Sequence, residues 1–465
     1  MQLYKKIIIS LSASMVLSGC LNLKDAPTSD EIKEDNQALE NMQIPNDWVF
    51  QEIDSANIDL GWAKEWETAE LDSIIAEGYR FNADINVAAS RIEQANAALK
   101  IANSRLLPMI GAGAQNGYNF NGGNQTIGYG MVNMSWEVDL WGKLRYAKKG
   151  TETMIYSAEY GKQKLEQVLA ATIAKAWYTS VFINQQKELV NQAIEATSEM
   201  ATLNEARLKI GVAKESDVLQ MNAQEAKFRE TLVKLEQIEK DTKRSIELLI
   251  GRYPKGEIEV ASSLPELATE VPENLPMSML ENRPDIMISQ YAVQMAFYNT
   301  EVAKAARWPK VSLNSSFGAV NSTTQALFGL SNPLVTVGAN LVTPIFTWGA
   351  IKSNIEIQNE AQKQAVLYYA KSYLTALSEV ETSLNGINAV EGRFTQSTIA
   401  LENLERTYQL SELQYKIGNE NMFTLLQKQL QLLNEATNQL NLKYEKISQR
   451  INLYLALGGD YIAKN

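Results

Sequence analysis

The sequence predicts an α+β membrane protein built from two copies of one helix–hairpin–helix unit. Three observations carry that expectation. KIGVAKESDVLQ from Lys209 returns as KIGNENMFTLLQ from Lys416, so the same turn recurs 207 residues on, from 209 to 416. Long proline-free stretches precede both copies. Between them lie segments whose apolar residues alternate with a period of two, the mark of strands with one apolar face. A repeat of this kind makes the two halves one body rather than separate domains.

The elements follow in chain order. Residues 1–19 read as a secretory signal, with Lys5 and Lys6 before an apolar run from Ile7 to Leu17 that is too short to span a bilayer. An ordinary cleaved signal is the alternative to a lipoprotein signal ending at Cys20. Residues 20–47 are polar and acidic and are expected to form a solvated tether. A first repeat is expected over 48–253, a proline-rich crossing with Pro254, Pro265, Pro272 and Pro276 over 254–282, a second repeat over 283–459, and a short tail at 460–465.

Within the repeats, Trp141-Gly142 pairs with Trp348-Gly349 at the offset of 207, while Asp84-Ile85 pairs with Asp285-Ile286 at 201, from 84 to 285. Apolar positions Leu165, Val168, Leu169, Ile173, Ala176, Trp177 and Val181 recur at spacings of three and four. No proline interrupts 143–210 or 350–417, which predicts two helices of ~100 Å each. Gly211 and Gly418 are positioned to end them, and shorter helices are expected to return over 215–249 and 283–307.

Strands are expected at about 109–120, 127–138, 310–320 and 334–346, each of a length that crosses a membrane when tilted. Solvent-facing ribbons are the alternative. Lipid tolerates strands only in a closed barrel, and four strands cannot close one, so several chains are expected to share it. Tyr118, Phe120, Tyr129, Trp136 and Phe317 are candidate interfacial aromatics.

Composition excludes several functions. The chain has no histidine and one cysteine, which removes Ser-His-Asp triads, Cys-His pairs and His- or Cys-cluster metal sites. A net charge of −11 gives no reason to expect a nucleic-acid partner. No nucleophile–base pair or phosphate loop is legible, so no enzymatic activity and no cofactor is expected.

The segments LDSIIAEGYRFNADI from Leu71, ENRPDI from Glu281, SWEVDLWGKLR from Ser135, TPIFTWG from Thr343 and the two KIG turns together resemble the outer-membrane factors of the TolC/OprM type. LSGC before Leu21 resembles a bacterial lipoprotein box, which implies covalent N-acyl diacylglycerol on Cys20 and delivery to the outer membrane. The family resemblance implies a homotrimer in which a 12-stranded β-barrel, four strands per chain, continues into a 12-helix periplasmic α-barrel with a mixed equatorial domain. It implies a periplasmic adaptor protein and a proton-driven inner-membrane transporter as partners, and passage of drugs or other small toxic compounds. Type I protein secretion, or a lipid-anchored structural coiled coil, are the alternatives. The KIG turns at Gly211 and Gly418 become the periplasmic tips that meet the adaptor. At the family's gate an aspartate bonds a tyrosine, and Asp217 and Tyr415 occupy those positions. Glu420 stands where relatives have an arginine, and Thr424 and Gln427 stand where they have acidic rings, with Lys209, Lys214 or Lys416 as candidates to compensate.

Overall fold

The computed structural model describes residues 23–34, 66, 68–119, 125–267, 277–321 and 333–459. The signal at 1–19, Cys20, the tail at 460–465, Phe120, Pro272 and Pro276 lie outside them. A short helix α1 (Ser29–Glu34) is followed by α2 (Ala69–Phe81), α3 (Ala83–Ser104), β1 (Met109–Asn119), β2 (Gln125–Val138), α4 (Lys143–Lys209) and α5 (Glu215–Leu249). A 3-10 turn at Met277–Asn282 leads to α6 (Pro284–Ala305), β3 (Lys310–Asn321), β4 (Pro333–Val342), α7 (Ala350–Lys416) and α8 (Met422–Ala456). The repeat is legible in these bounds. Helices α4 and α7 are each 67 residues long, ~100 Å, and α5 and α8 are each 35.

The described chain divides into two units. The first takes its residues from 1–44, 88–161 and 285–372, the second from 45–87, 162–284 and 373–465, and α4 and α7 contribute to both.

The first unit holds a four-stranded antiparallel sheet in the order β1-β2-β3-β4. Its register makes the period-two pattern physical. Ile110 pairs with Met134, Met134 with Ser315 and Ser315 with Val337, while Ala112, Val132, Phe317 and Val335 form the next row on that face. Directly opposed residues put their side chains on the same side, so one face is mainly apolar across the four strands, with Ser315 a polar position in the first of these rows. The intervening positions, such as Gly111, Asn133, Ser316 and Thr336, form a face of mainly small and polar residues, with Met131 and Leu334 among them. Apolar-face residues stand exposed, Val337 at 81% and Val335 at 64%. Of the candidate aromatics, Trp136 and Phe317 lie on this apolar face.

Two expectations fail in this unit. Strand β4 stops at Val342, four residues before the expected end at 346, because Pro344 has no N–H to offer a ladder. Residues 23–34 are not a free tether. Leu23 packs on Gly142, the Lys24 amide donates to the Tyr146 hydroxyl at 2.8 Å, and Asp25 pairs with Lys149 at 2.8 Å. The following turn is fixed by a capping box, since Thr28 donates its N–H to the Glu31 carboxylate at 2.8 Å while Glu31 N–H returns to the Thr28 hydroxyl.

The second unit packs around Trp66, Leu71, Ile173, Trp177, Tyr178, Ile246 and Ile250, all nearly inaccessible. The Tyr178 hydroxyl donates to the Trp66 carbonyl, and Trp66 meets Tyr454 edge-on at 5.8 Å. The C-terminal end of α8 is held by buried Arg283, which donates to the Ala456 carbonyl at 2.5 Å and to Glu379 at 2.6 Å. After α5 the chain is irregular, as the prolines require, and is anchored by Glu247. Burial pushes the Glu247 carboxyl up, but the N–H groups of Gly256 (2.6 Å) and Glu257 (2.9 Å) help hold it below its ordinary value.

Candidate functional site

The two KIG turns lie together at one end of the second unit. Each long helix ends in the same backbone motif. Gly211 has φ of 77° and donates to Leu208 at 3.0 Å, while Val212 donates to Arg207 at 2.9 Å. Gly418 has φ of 84° and donates to Tyr415 at 3.1 Å, while Asn419 donates to Gln414 at 2.9 Å. These paired bonds satisfy the last helical carbonyls, and the positive φ is the reason for glycine at both places.

The return helices begin differently. Asp217, in the first turn of α5, accepts the Lys214 amide at 3.5 Å and the Ser216 hydroxyl at 3.4 Å. At the start of α8, Asn421, the counterpart of Lys214, caps the helix by accepting the Thr424 amide at 2.9 Å and its hydroxyl at 3.0 Å. Thr424 is therefore engaged by its own helix start. Gln427 is exposed one turn further along.

The expected bond between Asp217 and Tyr415 is not made within the chain. Tyr415 is buried, at 5% exposure, in a cluster with Met200, Ala201, Met221, Met422 and Leu425. Its hydroxyl donates to Asn204 Oδ1 at 2.5 Å, and Asn204 in turn donates to the Met200 carbonyl at 3.1 Å. Arg207 lies over the Tyr415 ring, 4.7 Å from its centre, and donates to the carbonyls of Tyr415 and Lys416 at 3.1 and 3.0 Å. One guanidinium thus joins the end of α4 to the end of α7. It also meets the negative pole of α7. Asp217 points to its own cap because a carboxylate at the third helical position reaches the free amides there.

Glu420 is engaged by its own copy of the repeat. It accepts from the Ser411 hydroxyl and from Lys428 Nζ at 2.7 Å. The Lys428 and Ser411 hydrogen bonds hold its carboxyl below the ordinary 4.5. Lys428, rather than Lys209, Lys214 or Lys416, therefore neutralises the reversed charge; Lys416 pairs with Glu412 at 2.9 Å. Nearby, burial beside Glu412 and Glu199 pushes the Tyr408 hydroxyl up to about 12, so it stays protonated.

Asn204, Arg207 and Lys428 escaped the sequence reading, although the repeat carries a signal for them. At the offset of 207 they correspond to Ser411, Gln414 and Met221, so they stand where the two copies differ in chemistry. Among the described residues, no group of three acidic, histidine or cysteine side chains is placed to hold a metal, and no helix is long and apolar enough to cross a membrane.

Known proteins share this fold. The profile of the family described as "Outer membrane efflux protein" matches residues 80–252 and 275–459. The chain is 27% identical over 473 residues to the "Pyoverdine export outer membrane protein OpmQ" of Pseudomonas aeruginosa, with 97% of each covered. It is 22% identical to the "Probable outer membrane lipoprotein SilC" of Salmonella typhimurium, covering 99% of this chain and all of the relative. Solved structures share the fold: the CmeC outer membrane channel of Campylobacter jejuni with a TM-score of 0.81 at 20% identity, over 96% of this chain and 95% of that one, and the outer membrane protein VceC of Vibrio cholerae with 0.80 at 21%, over 87% and 100%. The repeat, the four-stranded sheet and the paired turns are thus placed in a known fold, and the chain belongs to the outer membrane efflux protein family.

Proposed function

We propose that this protein is the outer-membrane exit duct of a tripartite efflux system, a passive channel for drugs or other small toxic compounds. The observation that carries this reading is the sheet. Its mainly apolar face spans all four strands, and β1 and β4 stand at its edges. A membrane does not tolerate open edges, and four strands are too few to close. A homotrimer supplies twelve strands, with β4 of one copy pairing with β1 of the next.

In this reading the turns at Gly211 and Gly418 meet a periplasmic adaptor, which links the duct to an inner-membrane transporter driven by protons. Cys20 carries the N-acyl diacylglycerol. Asp217, Glu420, Thr424 and Gln427 surround the narrow end, and the closed form is held inside each chain by Arg207 and by the Tyr415–Asn204 bond. Relatives named for pyoverdine, toluene and cation export support a small-molecule cargo. Native mass measurement in detergent should give three chains, and planar bilayers should show channels. Cells lacking the protein should become sensitive to toxic compounds. A conducting monomer would contradict the trimer. Unchanged sensitivity together with loss of a secreted protein would favour type I secretion.

A further inference from the structure

We infer that the membrane section of the duct is electrically neutral, and that Glu137 and Lys310 keep it so by cancelling each other where the sheet meets its helices. The inference rests on the proposed barrel, in which the mainly small and polar face of the sheet is the inner wall.

The sequence carries the first observation. The chain has 43 basic and 54 acidic residues, yet none occurs from 106 to 136 or from 311 to 351. These stretches contain every residue of the four strands except Glu137, Val138 and Lys310. Lipid accounts for half of this, since charges on a lipid-facing surface are strongly destabilising, while inner positions tolerate them. It does not account for the other half. Asn133, Ser135, Asn314, Ser316, Thr336 and Asn340 lie on the polar face, where water would solvate a charge, and each is polar without one.

The two exceptions meet. Glu137, near the end of β2, and Lys310, at the start of β3, both belong to the polar face, and Lys310 Nζ stands 2.7 Å from the Glu137 carboxylate. The register sets Glu137 opposite Ser312, so the pair closes on the diagonal between neighbouring strands. Both side chains remain open to solvent, Lys310 more than Glu137, so the pair adds little to stability. Its effect is on the field. Two opposite charges in contact act at a distance as a dipole, whose potential falls off faster than that of either charge alone. The next charge along the chain, Asp139, is closed in the same manner on Arg145 at 3.2 Å.

The repeat shows how sparingly these charges are used. At the offset of 207, from 137 to 344, Glu137 corresponds to Pro344, and at 201, from 109 to 310, Lys310 corresponds to Met109. Each charge thus stands in one copy only, and on the two strands that lie side by side. In a trimer the three pairs form one neutral ring. The membrane section then sorts solutes by size and polarity and passes cations and anions alike.

Modification rates at a reporter thiol read the local potential. Ser135→Cys places the thiol on the polar face, one step along that face from Glu137, in the full-length protein in phosphatidylcholine nanodiscs, with the parent as blank because Cys20 is its single cysteine. The quantity measured is the rate with a cationic over that with an anionic methanethiosulfonate, relative to the same ratio for free β-mercaptoethanol. With the native pair this value should stay near unity. Glu137→Gln should lower it several-fold and Lys310→Gln should raise it several-fold, and both shifts should shrink at 1 M salt, where the Debye length is about 3 Å. Glu137→Gln combined with Lys310→Gln, and the swap of Glu137→Lys with Lys310→Glu, should restore it. A value far from unity with the native pair would overturn the neutrality, and single variants that leave it unmoved, or move it in the same direction, would overturn the role of the pair. A thiol that reacts with neither reagent, in protein whose native mass is that of three chains, would mean that the polar face is dry, and the duct reading would fall together with the inference. A reactive thiol with the wrong ratio sinks the inference alone.

Discussion

The turns at Gly211 and Gly418 share a backbone but not a chemistry. Both end a 67-residue helix with the same pair of carbonyl bonds, and both lead to a 35-residue return helix. Around this common frame the first copy offers Asn204 and Arg207, where the second has Ser411 and Gln414. The second offers Tyr415, Glu420 and Lys428, where the first has Leu208, Ala213 and Met221. Each turn therefore completes what the other lacks, Arg207 and Asn204 reaching Tyr415 across the pair.

Breaking the interlock at its centre should have the largest effect. Tyr415→Ala removes a buried ring together with its bond to Asn204, and large-to-small changes of this kind cost roughly 3–5 kcal/mol. Hydrogen exchange at the tip amides should rise steeply, while the same change at Leu208, its half-buried counterpart, should cost distinctly less. Arg207→Gln installs the second copy's residue in the first. Hydrogen bonds from a charged group contribute about 1.5–3 kcal/mol, toward the lower end at this half-exposed place. Exchange of the Lys416–Asn419 amides should accelerate, and single-channel conductance in bilayers should rise if the interlock closes the pore.

The shared frame is tested by the glycines. Alanine at Gly211 or Gly418 must adopt a left-handed conformation costing roughly 1–2 kcal/mol, and both sites have open space around the added carbon. The two variants should thus lose local protection by similar amounts. Gly251→Ala should lose more, because the new Cβ would also stand 2.9 Å from the Phe81 carbonyl.

The smallest effect is that of pH. Glu420 is held below its ordinary value, so its contribution is fully present above the unfolded value near 4.5 and is lost as pH falls through the lower folded one. Protection at the second turn should weaken over that acidic window. The first turn, with Ala213 in the matching place, should not follow, and Glu420→Gln should abolish the pH dependence.

The sequence by itself determined the elements and their repetition. Helix lengths were legible because proline-free apolar periodicity and a stop glycine are local properties, and the offset of 207 between the two KIG turns is also the offset between α4 and α7. The apolar sheet face was legible because side chains alternate strictly along a strand. Tertiary structure alone decided which side chains meet. Asp217 and Tyr415 are suited to a bond by type and by nearness to the turns. Yet Tyr415 is buried on Asn204, two turns back along the neighbouring helix, and Asp217 accepts the Lys214 amide and the Ser216 hydroxyl of its own helix start. The facing of two helices depends on how their packed surfaces interlock, and no local spacing encodes that. The segment Leu23–Asp25 has the same lesson, since an acidic, polar segment reads as solvated until the structure shows Gly142 leaving room for Leu23 and Tyr146 receiving the Lys24 amide.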